Sequence, residues 1–166
     1  MATELQRELL SRGYQVFVLD GDNIRSRLNR DLGFEPQDRA ENIRRVGEVA
    51  ALFADAGMIV IAAFISPYNA DREQARTASS NQFHCVYIES DTETCERRDP
   101  HGLWERVRKG EIINFTGVDA PYEVPENPEL VINTRDNSVD VCVTQLLEYV
   151  TTHLVEPVRR SRGMSF

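Results

Sequence analysis

The sequence contains little lysine and little cysteine. Lys109 is its only lysine, and arginine supplies the other 18 of the 19 basic side chains. The cysteines, Cys85, Cys95 and Cys142, are an odd number at wide spacing, with no CxxC pair and no histidine near enough in sequence to complete a zinc pattern. We therefore expect reduced, mostly packed thiols and a cytoplasmic protein.

Long apolar runs and an excess of positive charge are also absent. No run of 18 apolar residues could cross a bilayer, and the first residues lack the basic segment and apolar core of a signal peptide. The formal net charge of −8 argues against a nucleic-acid partner, because that affinity comes from basic groups. The 166 residues, 41% of them hydrophobic, predict one globular domain at 1–156 and a flexible tail at 157–166.

Apolar runs alternate with segments of helical periodicity. The runs predict strands at 14–19, 58–65, 83–88 and 130–132. The periodic segments predict helices at 3–12, 37–56, 70–78, 92–97 and 139–153, with Asp38 capping the longest. This alternation is typical of an α/β fold, a parallel sheet with helices on both faces. Glycine and proline interrupt the pattern at 99–128, around one short helix, which indicates a mobile lid or binding loop.

Two predicted strands end in polar segments that we expect to form turns. The first is followed by the string DGDN (20–23), and the second by SPY (66–68). Ligands bind beyond the carboxyl ends of strands in open α/β sheets, so these ends should meet at one crevice. Arg39 and Asn42, near the start of the long helix, would place a guanidinium and an amide beside its positive end. This arrangement suits a small anion.

Local charge and two loop aromatics support a small anionic ligand with a flat ring. From Arg25 to Arg45, six arginines accompany four carboxylates, a local excess of +2. Phe34 and Phe115 lie in glycine-containing loops, where they could stack on a ring or pack into the core. A DxD after a strand and a later strand ending in Ser66 also fit two elements of haloacid-dehalogenase-type phosphatases. The other elements are missing, which makes the phosphatase the weaker alternative.

Five strings follow one another in a characteristic order. They are LDGDNIRSRLNRDLGF (19–34), DRAENIRRVGEVAALFADAG (38–57), FISPYNADR (64–72), ERRDPHGLWERVRKGEI (96–112) and NFTGVDAPYEVPENPEL (114–130). Together they resemble the adenylyl-sulfate kinase family, which phosphorylates the 3′-hydroxyl of adenosine 5′-phosphosulfate with MgATP. The resemblance runs from about Leu5 to Leu147, and it implies a P-loop kinase-like fold.

The resemblance also implies a role for each matching residue. The catalytic residues would be Asp22, near the reacting 3′-oxygen and magnesium, and Ser66, which we expect to position substrate rather than to carry a phosphoryl group. The substrate-binding residues would be Asp22, Asn23, Ile24, Arg25, Phe34, Arg39, Asn42, Ile65, Ser66, His101, Asn114 and Phe115. Among them, arginine and asparagine of the long helix would hold the phosphosulfate, and the two phenylalanines would clamp the adenine. No residue is assigned as a dedicated metal ligand.

One motif of the family does not occur in these 166 residues. The family binds ATP at a P-loop, GxxxxGK[ST], between its first strand and first helix, whereas this sequence starts within what resembles that helix. His101 and Ile113 also stand where the family often has lysine. We therefore expect the chain to bind adenosine 5′-phosphosulfate, and to bind ATP only if a P-loop is supplied. We also expect low stability, because the family's first strand lies inside the sheet and its loss would leave two neighbouring strands without a partner.

Two functions follow from the resemblance. The first is an adenylyl-sulfate kinase of sulfate assimilation that uses ATP and Mg²⁺ and forms a homodimer. The second is a non-catalytic binding or regulatory partner of a full-length kinase, which keeps only the pocket for adenosine 5′-phosphosulfate.

Overall fold

Strands and helices alternate along the chain in the computed structural model, which describes residues 1–79, 82–99 and 102–155. In chain order the elements are α1 (Ala2–Ser11), β1 (Val16–Asp20), α2 (Gly21–Ser26), α3 (Pro36–Asp55), β2 (Ile59–Ala63), α4 (Asn69–Ala78), β3 (Val86–Glu89), α5 (Thr92–Arg98), α6 (Leu103–Arg108), β4 (Leu130–Asn133) and α7 (Val139–His153). The predicted α/β alternation is confirmed. His101 and the tail predicted at 157–166 lie outside the described residues.

The four strands form two parallel pairs. β1 pairs with β2, and β3 pairs with β4. Between residues 1 and 155, as far as they are described, no ladder joins β2 to β3. Residues of β2 and β3 instead line one cavity of about 650 Å³, which we call the interior cavity. The strands are parallel as predicted, and the sheet is interrupted at this point.

Helices α1 and α7 form a layer that contacts both strand pairs. Leucines four residues apart on α1 place one apolar stripe against β1, while β4 and α7 supply the other half of the contact. The shared buried cluster is Leu5, Leu9, Val16, Ile132, Cys142, Leu146 and Val150. Leu9 and Ile132 are fully buried, so truncating either to alanine should cost about 2–5 kcal/mol. This cluster joins the two halves of the fold.

Helices α3 and α4 pack against each other beside β1 and β2. Their closest approach is at Gly47, where an added Cβ would lie 3.1 Å from the Cα of Ala75. Phe53 of α3 stacks on Phe17 of β1 with ring centroids 4.8 Å apart. The sequence predicted Asp38 as the cap of α3, and this was wrong. The helix begins earlier, at Pro36, because proline at a first helical position loses no hydrogen bond and already has a helical φ.

Two smaller expectations are also corrected. The string at 20–23 was expected to form a turn, yet Gly21–Ser26 form the short helix α2, because the Asp20 side chain accepts hydrogen bonds from the first free N–H groups. The thiols were expected to be mostly packed, but Cys142 is buried, Cys85 is half-buried and Cys95 is exposed. Among the described helices, none has the length and apolar content needed to cross a membrane.

Candidate active site

β1 and β2 end together at a second cavity, which we call the crevice. The parallel register pairs Asp20 with Ala63, so both strands finish at one edge. The residues that follow them, from Asp20 to Asp22 and from Phe64 to Pro67, line a crevice of about 590 Å³. The convergence of the two polar strand ends inferred from the sequence is therefore present in the fold.

Most of the residues predicted for the site lie around this crevice. Nine of the twelve line it: Asp22, Arg25, Phe34, Arg39, Asn42, Ile65, Ser66, Asn114 and Phe115. Asn23 and Ile24 lie in α2 but are not among the lining residues. His101 cannot be placed, since it is outside the described residues. The geometry gathers these groups, while their roles toward a substrate stay predictions.

The sequence reasoning missed several residues that line the crevice. They come from α6 and the segment that follows it: Leu103, Arg106, Ile112, Ile113 and Thr116. The first two are three residues apart and so share one face of α6, a spacing that was available in the sequence. Ile113 was noted only for the absence of a lysine. The part of the predicted lid that reaches the crevice is therefore largely apolar.

Capping fixes the position of Asp22 at the start of α2. The Asp20 carboxylate accepts hydrogen bonds from the backbone N–H of Asp22 at 3.1 Å and of Asn23 at 3.4 Å. The Asp22 side chain is exposed and makes no hydrogen bond or ion pair within the described residues. One carboxylate of the DxD pair therefore builds the helix, and the other faces the crevice with free acceptor oxygens.

The polar groups of α3 are held in place by neighbouring protein atoms. Arg39 is only 8% exposed, and it donates from Nε to the Phe34 carbonyl at 3.0 Å and from Nη2 to the Asn114 carbonyl at 2.7 Å. Asn42 accepts a 3.0 Å hydrogen bond from the side chain of Asn29. A guanidinium has five N–H donors, so Arg39 keeps donors for an anion in the crevice.

A second guanidinium lies against an exposed aromatic ring. The Cζ of Arg25 is 4.5 Å from the centroid of the Phe34 ring, and its Nη1 donates to the Gly33 carbonyl at 2.7 Å. Burial, and then the positive charge of Arg39, lowers the pKa of Arg25 from its usual value. Two nearby cations at a half-buried site repel each other, and an anion would relieve that repulsion.

The second aromatic residue is fixed by a tight turn. The Asp119 carboxylate accepts hydrogen bonds from the backbone N–H of Asn114 at 2.8 Å and of Phe115. The Phe115 ring meets Trp104 of α6 edge to face at 5.2 Å. In contrast, the Phe34 side chain is 58% exposed. Large exposed aromatic surface beside a cavity is typical of a ligand contact.

Among the described residues, arginine and asparagine line the crevice, but no lysine and no ready-made metal cage do. Lys109 is exposed, pairs with Glu105 at 2.6 Å and does not line the crevice. In the ranges that the structure covers, no three carboxylate, histidine or cysteine side chains cluster to form a metal cage. Mg²⁺ usually keeps several waters and takes one or two carboxylates together with substrate phosphates, so Asp22 alone could contribute to such a site.

Comparison with known proteins identifies the family. The family model described as Adenylylsulphate kinase matches residues 1–133. The "Probable adenylyl-sulfate kinase" of Bacillus subtilis is 54% identical over 155 residues, which cover 93% of this chain and 79% of that protein.

Solved structures agree with this match. The Mycobacterium tuberculosis APS kinase in complex with AMPPNP and APS superposes with a TM-score of 0.87 at 42% identity, covering 90% of this chain and 88% of that one. A hexameric APS kinase from Thiobacillus denitrificans superposes with a TM-score of 0.66 at 30% identity, covering 91% of this chain and 25% of that one. Family, fold and sequence strings therefore agree, and the chain belongs to the adenylyl-sulfate kinase family of phosphotransferases.

Proposed function

We propose that the crevice binds adenosine 5′-phosphosulfate and presents its 3′-hydroxyl for phosphoryl transfer from ATP, giving 3′-phosphoadenylyl sulfate. One observation carries the proposal. Two arginines, two asparagines and two phenylalanines from three separate stretches of the chain line a single crevice of about 590 Å³, beside the free carboxylate of Asp22.

The charged groups suit the phosphosulfate. Arg25 and Arg39 both lie near the Phe34 ring, with their Cζ atoms 4.5 and 5.7 Å from its centroid. Planar guanidinium groups match the oxygens of phosphate and sulfate, and the half-buried setting strengthens their attraction. Asn42 can add an N–H donor, because its contact with Asn29 uses only its carbonyl oxygen.

The aromatic groups suit the adenine. Phe34 offers an exposed ring face on one wall of the crevice, and Phe115 lies in the loop that forms another wall. Stacking a base on an aromatic side chain contributes about 1–3 kcal/mol. The apolar side chains of Leu103, Ile112 and Ile113 would exclude water around the ring.

Asp22 and Ser66 would position the reacting hydroxyl. Phosphoryl transfer depends mainly on orientation and charge neutralisation, so a covalent relay through Ser66 is not required. The free Asp22 carboxylate could accept a hydrogen bond from the 3′-hydroxyl and hold it in line. We place Mg²⁺, the cation that would accompany ATP, near the same carboxylate.

The binding of ATP, the phosphoryl donor, has a different basis from the binding of substrate in the crevice. MgATP would supply the phosphoryl group, but GxxxxGK[ST] does not occur in the 166 residues, and the described side chains offer its phosphates no comparable cradle. A second candidate function, which the sequence left open, is an adenosine 5′-phosphosulfate-binding partner of a full-length kinase. The two candidates share the same crevice.

Calorimetric titration tests the proposal directly. The chain should bind adenosine 5′-phosphosulfate and show little binding of MgATP. Arg39→Ala should weaken the first interaction by about 100-fold, because it removes a buried charged donor. Arg44→Ala is the matched control, since Arg44 also lies on α3 but pairs with Glu41 and does not line the crevice.

Each outcome separates the candidates. Equal affinity of the two variants would overturn the assigned site, and so would tight binding of MgATP without adenosine 5′-phosphosulfate. Formation of 3′-phosphoadenylyl sulfate by the chain alone would favour the kinase over the binding partner. Substrate binding without turnover would favour the binding partner.

The resemblance also supports two broader proposals. We propose a cytoplasmic homodimer, by analogy with the family and with the hexameric relative described above. Sedimentation of the purified chain at micromolar concentration should give twice the monomer mass of 18.9 kDa. A single monomeric boundary would contradict the dimer.

A further inference from the structure

Two buried arginines hold two unusual backbone positions of the crevice. Among the described residues, Ser66 at φ +36° and Asn114 at φ +58° are the only non-glycine residues with positive φ, and both line the crevice. Each carbonyl accepts a hydrogen bond from an arginine that is 8% exposed: Arg39 donates to Asn114, and Arg72 donates to Ser66. Left-handed backbone is unfavourable for serine, so the surrounding contacts must maintain it.

Arg72 joins three segments through one side chain. Besides the Ser66 carbonyl, its guanidinium donates to the side-chain oxygen of Asn69 and, at 2.6 Å, to the Glu123 carbonyl. Its Cζ lies 5.8 Å from the Tyr122 ring centroid. The loop after β2, the start of α4 and the segment before β4 therefore meet at this guanidinium. Lysine could not replace it, because a single ammonium lacks the planar fork.

The outer part of this junction has further support. The Glu123 N–H donates to the Pro67 carbonyl at 2.8 Å, and the Glu123 carboxylate accepts from the Asn69 N–H at 2.6 Å. These bonds can hold the segment before β4 without Arg72. In contrast, Arg72 is the group that reaches the Ser66 carbonyl, so its distinct contribution is the backbone conformation of that residue.

We infer that Arg72 is a positioning residue, which keeps Ser66 left-handed and thereby shapes the crevice wall next to the substrate. Arg72 does not line the crevice, so it acts through Ser66. The inference rests on the proposed function, because it concerns how the crevice meets adenosine 5′-phosphosulfate.

A double-mutant cycle on affinity tests the inference. Arg72→Gln should weaken binding of adenosine 5′-phosphosulfate about tenfold, within the usual range for coupled neighbours. Glycine adopts positive φ without strain, so the same change should cost less than about twofold in a Ser66→Gly background. In a Ser66→Ala background the tenfold loss should remain, since alanine also lacks the hydroxyl but disfavours positive φ. A purely structural role would give equal losses in all three backgrounds, which would overturn the inference.

Arg76→Gln is the matched control on the same helix. Arg76 pairs with Glu129 at 2.7 Å and lies against the Phe83 ring at 4.8 Å, away from Ser66. Its loss should lower stability without changing affinity. An affinity loss as large as that of Arg72→Gln would contradict the inference.

A measurement without substrate separates this inference from the proposed function. The backbone chemical shifts and coupling constants of Ser66 distinguish left-handed from extended backbone. Arg72→Gln should shift them toward extended values, and Arg76→Gln should leave them unchanged. If the wild-type chain fails to bind adenosine 5′-phosphosulfate, the proposed function falls, while these shifts still decide the role of Arg72. Unchanged chemical shifts of Ser66 in Arg72→Gln would overturn the inferred role of Arg72.

Discussion

The crevice and the interior cavity are similar in volume, about 590 and 650 Å³, yet they are built differently. Buried arginines and short hydrogen bonds fix the walls of the crevice. The interior cavity lies where β2 and β3 fail to pair, and its lining is mainly small or apolar side chains. The two cavities adjoin, because Ile43, Phe64 and Ser66 line both. Hydrogen bonds from buried arginines hold the crevice wall, while the interior cavity separates the two strand pairs. Substrate recognition and global stability should respond separately to change.

Thermal unfolding should give the largest effect. A loosely packed centre and an interrupted sheet should place the midpoint below about 45 °C, under the range usual for mesophilic domains. Adenosine 5′-phosphosulfate at 100 times its dissociation constant should add about 2.7 kcal/mol, because only the folded chain binds it. Scanning calorimetry with and without this ligand measures both. A midpoint of about 60 °C without ligand would mean that the centre is better packed than described.

Two leucine substitutions on α3 compare tight and loose packing within one helix. Gly47→Leu should cost about 2–3 kcal/mol, since even a Cβ there would lie 3.1 Å from the Cα of Ala75. Ala54→Leu, two turns further on, should cost less than about 1 kcal/mol. Both positions line the interior cavity, but Gly47 is also pressed against Ala75 of α4, whereas Ala54 is half-buried. Urea unfolding gives both values. Equal losses would show that the interior cavity cannot accept a larger side chain.

Phe34→Ala tests the aromatic wall of the crevice. Losing one stacking face should weaken binding of adenosine 5′-phosphosulfate about tenfold and leave stability nearly unchanged, since the ring is largely exposed. Leu52→Ala is the control, because Leu52 is an exposed apolar residue of α3 that lines neither cavity. Titration calorimetry measures the affinity of both variants for adenosine 5′-phosphosulfate. An unchanged affinity in Phe34→Ala would show that this ring does not contact the adenine.

Acid sensitivity should show the smallest effect. Hydrogen bonds from Arg44 and then Arg45 lower the pKa of Glu41 from 4.5 to about 2. A depressed folded pKa means that this contribution to stability is present above 4.5 and is lost as the pH falls toward about 2. Glu41→Gln should therefore be less stable than wild type near neutral pH, with the difference shrinking in acid. Urea midpoints at about pH 7 and pH 3 measure this change. A constant difference would contradict it.

The sequence predicted the regular elements well where periodicity was strong. The long helix α3 and the apolar strand β2 follow from patterns that local packing alone produces. The short helix α2 was missed because its start depends on a side-chain cap at Asp20 that also suits a turn. The interrupted sheet could not be located by periodicity, because strand pairing is a property of distant segments.

The site was predicted in part for a similar reason. Motif strings located Arg39 and Phe115, and the fold brings them to one crevice. Arg72 is the last residue of the string FISPYNADR (64–72), but its contact with Glu123 joins positions 51 residues apart. Such a contact leaves no local periodic signal. The strings named side chains that line the crevice, and the structure added the contacts that hold its walls.

The cluster shared by α1 and α7 also bears on how the chain is synthesised. It joins Leu5 and Leu9 to Leu146 and Val150, residues near opposite ends of the described chain. A ribosome releases the first helix long before the last, so the side of α1 that packs on α7 stays uncovered while most of the chain is being made. Nascent chains should therefore bind chaperones through α1 and release them only when α7 has been made, whereas chains that stop before α7 should stay bound.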